Sequence, residues 1–358
     1  VYKRQTFCDM KMPGGMDEEK IRRFERRQAN GEKVFWYGGT AIASPYSPLW
    51  AWYGREWNFT GDPATVYLEM DPNDRAKRDA GGWIWGCLRD KSFFDWRLWS
   101  HCWFLNNPGY AVSNLYFDIS FPKSCRNARH GCANGEYFFR GMREMHKRIY
   151  RELKRKNPDG AMLGHVRFTR TPADNFFDQG WCGEAYEIPV SKQHNYYGLL
   201  KPEAMQVHYA SRANDMVVAS SFQIYRTYQV YAPKLLPSYD PEAPESVRAI
   251  LHCAAYFKIH NMLITIRPDE GRVVGNAWWP AESCAHFLGA DRRYSAYYLP
   301  DCPVSVDAPD RLFLHGVWWN RGEAMLVVLN DTDGTVTKRL TLDAGKMALT
   351  ARTGADIF

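Results

Sequence analysis

Three features that would indicate other protein classes are missing from this sequence. No uninterrupted apolar run reaches about 18 residues, the minimum for a membrane-spanning helix; the longest candidate, residues 249–266, contains His252, Lys258 and His260. None of the nine cysteines forms a Cys-x-x-Cys pair, so a zinc ribbon or finger is not indicated. No glycine-rich dinucleotide fingerprint follows a predicted strand. We therefore expect no transmembrane segment, no metal and no cofactor.

An excess of one charge is also missing. The 46 basic and 40 acidic residues leave a net charge of +6, which is small for 358 residues. The densest basic run, residues 140–156, falls in one predicted helix, where it reads as a solvated face. A nucleic-acid groove needs a larger basic excess and a recognisable module. We expect no nucleic-acid partner.

Aromatic residues, by contrast, are abundant. Phe, Trp and Tyr make up 15% of the chain, and 14 residues are Trp. Aromatic rings offer large apolar faces with polar edges, which suit the C–H faces and hydroxyl rims of sugars. Most of these rings serve equally well as core residues, so the composition favours a carbohydrate partner without identifying one.

The order of predicted elements indicates an α/β fold. Hydrophobic periodicity predicts helices over 17–30, 93–104, 136–156, 202–212 and 244–260, and strands over 33–37, 65–70, 114–119, 161–168, 216–222 and 262–266. Strands that alternate with helices form parallel sheets. The number of units, with no dinucleotide fingerprint, favours a (β/α)₈ TIM-type barrel over an open doubly wound sheet.

The C-terminal part has a different pattern. Residues 312–319, 324–329 and 335–342 alternate as β-strands do, which predicts a small antiparallel β-sandwich. We divide the chain into a barrel domain at 1–305 and a sandwich fragment at 306–358. The start at Val1 and the leader after it indicate an N-terminally truncated chain, so the first barrel strands and any signal peptide would be missing. An extracytoplasmic location is favoured on that basis.

Polar residues at the strand ends are the candidate catalytic groups, because barrel active sites form at the C-terminal ends of the strands. Asp118 follows an apolar run, His165 interrupts the apolar strand 161–168, and Glu184 follows Gly183. Each has a structural alternative. Asp118 is otherwise a loop cap, His165 a hydrogen-bonded core residue and Glu184 a surface residue.

Glycoside hydrolysis uses two carboxyl groups, one as proton donor and one as nucleophile or base. We predict Glu184 as the general acid, because its apolar neighbours disfavour the charged form, and Asp118 as nucleophile, base or substrate anchor. The predicted substrate-binding residues flank these positions along the chain. They are Tyr116, Lys123, His130, His165, Asp178, Trp181, Tyr186 and Arg267.

Several motifs between about residues 110 and 270 occur together. They are Leu115-Tyr116-Phe117-Asp118, Pro122, Cys125, Asn127, His130-Gly131-Cys132, Arg143-Glu144, Arg148-Ile149-Tyr150, Asn157-Pro158, His165 and Gly183-Glu184. As a set they resemble a bacterial family of glycoside-hydrolase-like barrels that is distantly similar to the β-N-acetylgalactosaminidases. The resemblance implies a carbohydrate-active barrel, of bacterial and metagenomic origin, with its site around Asp118, His165 and Glu184.

One position departs from that family pattern. An Asp-Gly-Glu run is expected where this chain has Cys182-Gly183-Glu184. In the related hexosaminidases an adjacent Asp and Glu serve a substrate-assisted mechanism, so the resemblance implies that Cys182 puts this mechanism in doubt. A carboxylate pair of Glu184 and Asp118 is therefore preferred.

Other interpretations remain open. A non-catalytic carbohydrate-binding barrel would keep the aromatic residues but lack a productive carboxylate pair. A cysteine-dependent enzyme would use Cys182 with His165 or His194. A metal site at Cys125, His130 and Cys132 would need a fourth ligand, which the sequence does not reveal. A loop disulfide or two plain thiols is the simpler interpretation of Cys125 and Cys132.

Overall fold

The structure of the chain is a computed structural model. It describes residues 6–9, 18–43, 48–60, 84–110, 112–118, 120–132, 135–165, 171–182, 201–203, 206, 217–219, 244–261, 263–264, 291–332 and 334–349. The chain divides into two compact units, residues 1–180 and 181–358.

The first unit contains a parallel sheet and the helices that connect its strands. Its strands are β1 (Thr6–Asp9), β2 (Val34–Gly39), β3 (Ile42–Ala43), β4 (Ile84–Trp85), β5 (Asn114–Asp118), β6 (Ser124–Cys125), β7 (Glu136–Tyr137) and β8 (Met162–His165), and β9 (Gln179–Cys182) crosses into the second unit. Its helices are α1 (Glu18–Ala29), α2 (Pro48–Trp57), α3 (Lys91–Asn106) and α4 (Phe139–Lys156).

Strands β1, β2, β5 and β8 pair in parallel and lie side by side in the order in which they occur along the chain. The two short pairs β3–β4 and β6–β7 are antiparallel. Strands buried on both faces have continuous apolar runs in their sequences, as β2 has at residues 34–37 and β5 at residues 115–117. The predicted α/β class with a parallel sheet is confirmed.

The helices follow from local signals in the sequence. Glu18 and Glu19 occupy the first turn of α1, where the helix dipole favours negative charge. Asp90 caps α3 by accepting a hydrogen bond from the backbone N–H of Phe93 at 2.8 Å. Helix α4 buries a stripe of side chains three or four residues apart, namely Met142, Met145, His146, Ile149 and Leu153.

These helices lie on one face of the sheet. The ring of Trp36 on β2 contacts Phe24 of α1 and Phe104 of α3, with ring centroids 5.3 and 5.0 Å apart. The ring of Phe117 on β5 contacts His101 of α3 and His146 of α4. Because side chains alternate along a strand, the residues next to Trp36 and Phe117 point to the opposite face.

The second unit combines a parallel strand pair, a helix and antiparallel sheets. Its elements are β10 (Val217–Ala219), α5 (Pro244–Ile259), β11 (Leu263–Ile264), β12 (Arg293–Ala296), β13 (Val304–Val306), β14 (Phe313–Trp319), β15 (Ala324–Asn330) and β16 (Leu340–Leu342). Strands β10 and β11 are parallel. Strands β12, β14 and β15 form one antiparallel sheet, and β13 and β16 form another.

An apolar cluster joins the two antiparallel sheets. Val304 of β13, Val317 and Trp319 of β14, and Met347 are buried together. Helix α5 is tied to the same unit by a buried pair, in which the Nε2 of His252 lies 2.7 Å from an oxygen of Asp331. The antiparallel strands begin at Arg293, before the predicted domain boundary at 305/306.

Most predicted elements occur with small shifts of their ends. The predicted helix over 136–156 begins at Phe139, and Glu136–Tyr137 forms β7. The predicted strand over 335–342 is observed only as Leu340–Leu342. Helix α2 was not predicted, because its aromatic and glycine content lowers helix propensity. The predicted strand over 65–70 and most of the predicted helix over 202–212 lie outside the described residues. In the described part of the chain, no helix is both long and apolar enough to cross a bilayer.

His146 makes the stability of the first unit depend on pH. Its Nδ1–H donates to the carbonyl oxygen of Ala173 at 2.8 Å, and its Nε2 accepts from the hydroxyl of Thr40 at 2.9 Å. Burial lowers the pKa of His146 to about 4. An unfolded His has a pKa near 6.5, so the stabilisation is complete above about pH 6.5 and is lost as the pH falls toward 4.

We expect His146→Gln to reduce this dependence. Between pH 7 and pH 5 the original chain should lose on the order of 2 kcal/mol more unfolding free energy than the variant. Urea titrations of both proteins at the two pH values measure this difference, and other buried histidines contribute equally to both. Equal losses in the two proteins would contradict the assignment.

Candidate functional site

Tyr37, Asp118 and His165 meet at the carboxyl ends of β2, β5 and β8, and together they are called the Asp118 cluster. The hydroxyl of Tyr37 donates a hydrogen bond to Oδ2 of Asp118. The Nδ1 of His165 lies 2.5 Å from Oδ1 of the same carboxylate. Each oxygen of Asp118 therefore has its own partner from a neighbouring strand.

Strand register explains why these side chains meet. Tyr37 pairs with Tyr116, and Gly39 pairs with Asp118. Tyr116 and Asp118 are two residues apart on β5 and so share a face. The ring centroids of Tyr37 and Tyr116 are 5.3 Å apart, and the long phenol of Tyr37 reaches along that face to Asp118. The cluster lies on the face opposite Trp36 and Phe117, which contact the helices.

The backbone around the cluster is held by hydrogen bonds beyond the strand ends. The buried guanidinium of Arg97 donates to the carbonyl oxygens of Gly39 and Thr40, at 2.5 and 3.4 Å. Burial lowers the pKa of Arg97 to about 10, so it remains charged at neutral pH. The hydroxyl of Ser120 donates to the carbonyl oxygen of His165 at 2.8 Å. These contacts fix where β2, β5 and β8 end.

The cluster remains accessible from solvent. The side chain of Asp118 is 18% exposed and that of His165 is 14% exposed. A carboxylate oriented by two neighbours and open to solvent can act as a nucleophile, as a general base or as an anchor for a hydroxyl group. Asp118 and His165, two residues of the predicted site, are thus in direct contact.

A cavity is lined in part by the segment that follows Asp118, starting at Phe121. It has a volume of about 330 Å³ and is lined by Phe59, Thr60, Phe121, Pro122, Lys123, Ser124, Arg126 and Tyr137. The ammonium group of Lys123 lies 4.6 Å from the ring centroid of Trp85 and 5.6 Å from that of Phe121. Predicted substrate-binding Lys123 therefore lines an aromatic cavity of mixed polarity.

The structure places other predicted site residues elsewhere. Asp178 lies at the amino end of β8, where one of its oxygens accepts from the backbone N–H of Met162 at 2.8 Å. Its other oxygen is 3.2 Å from the hydroxyl of Tyr150 and 3.5 Å from the ammonium group of Lys154. Asp178 thus connects helix α4 to the end of β8 opposite His165.

His130 lies beside Cys125 of strand β6. Its Nδ1 lies 3.4 Å from the sulfur of Cys125. Trp181 is part of strand β9, but its side chain lies outside the described residues, as do Glu184, Tyr186 and Arg267. The carboxylate pair of Asp118 and Glu184 therefore stays a prediction.

Sequence reasoning missed Tyr37. Its signal was weak, because Tyr37 ends a short aromatic run that reads equally well as core. The pair Gly38-Gly39 after it was the better indication. In β2 the Cβ of an alanine at position 39 would lie 2.0 Å from Ile42, so only glycine fits there. Close backbone packing of this kind often occurs near functional sites.

No protein-family model matches the sequence, and no curated protein matches it either. Among solved structures, the maltogenic alpha-amylase AmyB from Thermotoga neapolitana is 9% identical with a TM-score of 0.49, over 88% of this chain and 67% of that one. The GH36 alpha-galactosidase AgaA from Geobacillus stearothermophilus is 10% identical with a TM-score of 0.44, over 86% and 38%. A Nostoc punctiforme debranching enzyme is 10% identical with a TM-score of 0.46, over 86% and 70%. This chain thus spans 38% of the length of the galactosidase and about two thirds of the other two. Values this low assign the chain to no family.

Asp178 gives a prediction about stability. Replacing it with alanine leaves the backbone N–H of Met162 without its partner, and a buried donor without a partner costs about 1–3 kcal/mol. We expect Asp178→Ala to lower the unfolding free energy by this amount. Tyr150→Phe, which removes only the 3.2 Å hydrogen bond, should cost less. Urea denaturation measures both, and a smaller loss for Asp178→Ala than for Tyr150→Phe would contradict this role.

Proposed function

We propose that this chain is a glycoside hydrolase of the (β/α)₈ type, acting on a glycan or glycoconjugate at the carboxyl edge of β2, β5 and β8. The observation that carries the proposal is the Asp118 cluster. It supplies a partly exposed carboxylate, oriented by Tyr37 and His165, on the sheet face opposite the one that contacts α1, α3 and α4.

Two features of the first unit support the barrel. Its parallel strands follow one another in chain order, whereas a doubly wound sheet reverses its order at a switch point. The helices α1, α3 and α4 lie on one face of the sheet, as they do outside a barrel. The other face would then be the barrel interior, with Asp118 at its mouth. The two antiparallel sheets of the second unit would belong to the C-terminal β-sandwich.

The proposed reaction needs a proton donor in addition to Asp118. Glu184 would protonate the glycosidic oxygen as the leaving group departs, and Asp118 would attack the anomeric carbon or remove a proton from the attacking water. Tyr37 and His165 would hold the Asp118 carboxylate in position. With Cys182 where the related hexosaminidases have an acidic residue, we do not propose a substrate-assisted mechanism.

The proposed sugar contacts come from the aromatic and basic residues around this edge. Lys123 with Phe121 and Trp85 forms a wall on which an apolar sugar face can stack while the ammonium group binds a hydroxyl. Tyr116 extends the face beneath Asp118. Trp181, Tyr186 and Arg267 are proposed to complete the site.

A second candidate function is a barrel that binds carbohydrate without cleaving it. The observation that favours it is that both oxygens of Asp118 already have partners within the protein. A carboxylate engaged in this way serves well as an anchor for a sugar hydroxyl. The two candidates share the same site and differ in whether a bond is broken.

Mutagenesis of the carboxyl pair tests the proposal. We expect Asp118→Asn and Glu184→Gln each to lower kcat/KM on a cleaved aryl glycoside by about 10²–10⁴-fold, because each removes a group that acts in the transition state. Asp159→Asn, which changes an exposed carboxylate in the turn after α4, is the matched control and should retain activity.

The same variants separate the two candidate functions. If external azide restores turnover to Asp118→Gly, Asp118 is the nucleophile. If both carboxyl variants cleave as fast as the original chain, the proposed site is wrong. If no glycoside in a broad panel is cleaved but a glycan array shows binding that Asp118→Asn abolishes, the chain is the carbohydrate-binding barrel.

A further inference from the structure

Cys87, Cys125 and Cys132 converge in the first unit, on segments that follow strands β4 and β5 along the chain. Their three sulfur atoms all lie within 4.8 Å of one another. All three residues are completely buried, and none of them is in a disulfide. A disulfide can join only two of these thiols, whereas one metal ion can bind all three as thiolates.

His130 lies beside this group, in contact with Cys125. Its Nδ1 lies 3.4 Å from the sulfur of Cys125, and its side chain is 1% exposed. The other ring nitrogen, Nε2, donates to the backbone carbonyl oxygen of Glu56. Histidines that bind metals commonly donate their second N–H to a carbonyl or carboxylate, which fixes the ring and its tautomer. The four residues are called the Cys₃His cluster below.

The separations of the three sulfurs, and the contact between Cys125 and His130, are compatible with a tetrahedral zinc ion. Zn–S bonds of about 2.3 Å and Zn–N bonds of about 2.0–2.1 Å place sulfur atoms about 3.8 Å apart and sulfur about 3.5 Å from nitrogen. The 3.4 Å between the sulfur of Cys125 and Nδ1 of His130 fits the second value. The sulfur separations of at most 4.8 Å require only a small contraction to reach the first.

The local backbone is shaped to present these ligands. Gly131 has a φ of 68°, in the left-handed region, so the chain turns sharply between His130 and Cys132. The backbone N–H groups of Arg89 and Asn127 donate to the sulfurs of Cys87 and Cys125, the cysteines two residues before them. Such N–H donors stabilise thiolate ligands, since charge-assisted hydrogen bonds are the stronger ones.

The surrounding charge suits a metal with three thiolates. Three thiolates, a neutral imidazole and Zn²⁺ have a net charge of −1. The guanidinium of Arg89 lies beside this group, 3.7 Å from where a Cβ of residue 131 would be. Arg89 also pairs with Glu136, so it links the cluster to strand β7 as well as offsetting its charge.

This part of the fold has little regular structure to stabilise it. Strands β4, β6 and β7 have two residues each, and the connection from β6 to β7 contains only a three-residue 3-10 helix, Ala128–His130, among its described residues. The Cys₃His cluster joins the segment after β4 to the β6–β7 loop. The hydrogen bond from His130 to the carbonyl oxygen of Glu56 connects both to the end of α2. Where regular hydrogen bonding is sparse, a structural metal commonly supplies the missing stability.

We propose that Cys87, Cys125, Cys132 and His130 bind one Zn²⁺ ion as a closed structural site. A set of sulfur and imidazole ligands favours zinc over the hard cations. Four protein ligands leave no open position for water or substrate, as in structural sites. The three thiols give up their protons to solvent as the metal binds. The sequence analysis expected no metal because the sequence contained no Cys-x-x-Cys pair and revealed no fourth ligand beside Cys125, His130 and Cys132.

Metal content and stability of the full-length chain test the proposal. Purified protein analysed by mass spectrometry for metals should contain about one zinc per chain. Removal of zinc with a strong chelator should lower Tm, and added Zn²⁺ should restore it. X-ray absorption at the zinc edge should show three sulfurs at about 2.3 Å and one nitrogen at about 2.0–2.1 Å.

Variants assign the ligands. Cys87→Ser, Cys125→Ser and Cys132→Ser should each lose zinc, and His130→Ala should weaken zinc binding by more than the roughly 10–100-fold that loss of an outer partner costs. Cys102→Ser changes a half-buried thiol of helix α3 outside the cluster and should retain both zinc and Tm. If the ligand variants do not fold, the chelation and absorption measurements on the original chain still decide.

Two outcomes would overturn the proposal. In the first, the purified original chain contains no zinc, and refolding it with Zn²⁺ neither loads zinc nor raises its Tm. The other is a Cys125–Cys132 disulfide, found by mass spectrometry of the alkylated protein, in a chain whose Tm does not respond to metal. The glycosidase assays play no part in these measurements, so failure of either proposal leaves the other intact.

Discussion

The alternation of side chains along strand β5 is the constraint on which both the core and the candidate site depend. Leu115 and Phe117 are fully or almost fully buried, and Phe117 packs against the helix layer. Tyr116 and Asp118 point to the other face. A shift of one residue in the pairing of β5 would place Asp118 among the helices and Phe117 on the site face, so the packing of Phe117 also specifies where the carboxylate lies.

Removing the Asp118 carboxylate from water costs free energy, and several neighbouring groups offset this cost. A carboxylate that is only partly exposed to water needs partners, and Tyr37 and His165 provide them. Arg97 in turn holds the end of β2 by two carbonyl contacts, although burial makes its charged form costly enough to lower its pKa to about 10. Contacts from β2, β8 and α3 thus orient this one acidic side chain and the strand end beside it.

The two edges of the parallel sheet have different chemistry. At the amino edge, Asp178 accepts from a backbone N–H and connects β8 to α4, which is a structural task. At the carboxyl edge, Asp118 is accessible to solvent beside aromatic and basic side chains. The loops beyond that edge have few regular hydrogen bonds, and the Cys₃His cluster lies among them. A metal there would hold the loops that line the cavity around Lys123.

The sequence by itself determined the α/β class and the helices α1, α3 and α4, and it marked Asp118 and His165 as candidate site residues, because periodicity and the polar interruption of apolar strands are local signals. Tertiary structure alone decided which of the predicted residues meet. Tyr37 meets Asp118 through the register between strands. Asp178 lies at the opposite edge of the sheet, which the sequence could not reveal because the two ends of a strand have similar sequence patterns. Cys87 approaches Cys125 and Cys132 only after the chain has folded, since proximity in space depends on strand pairing and packing between distant segments, which no local pattern records.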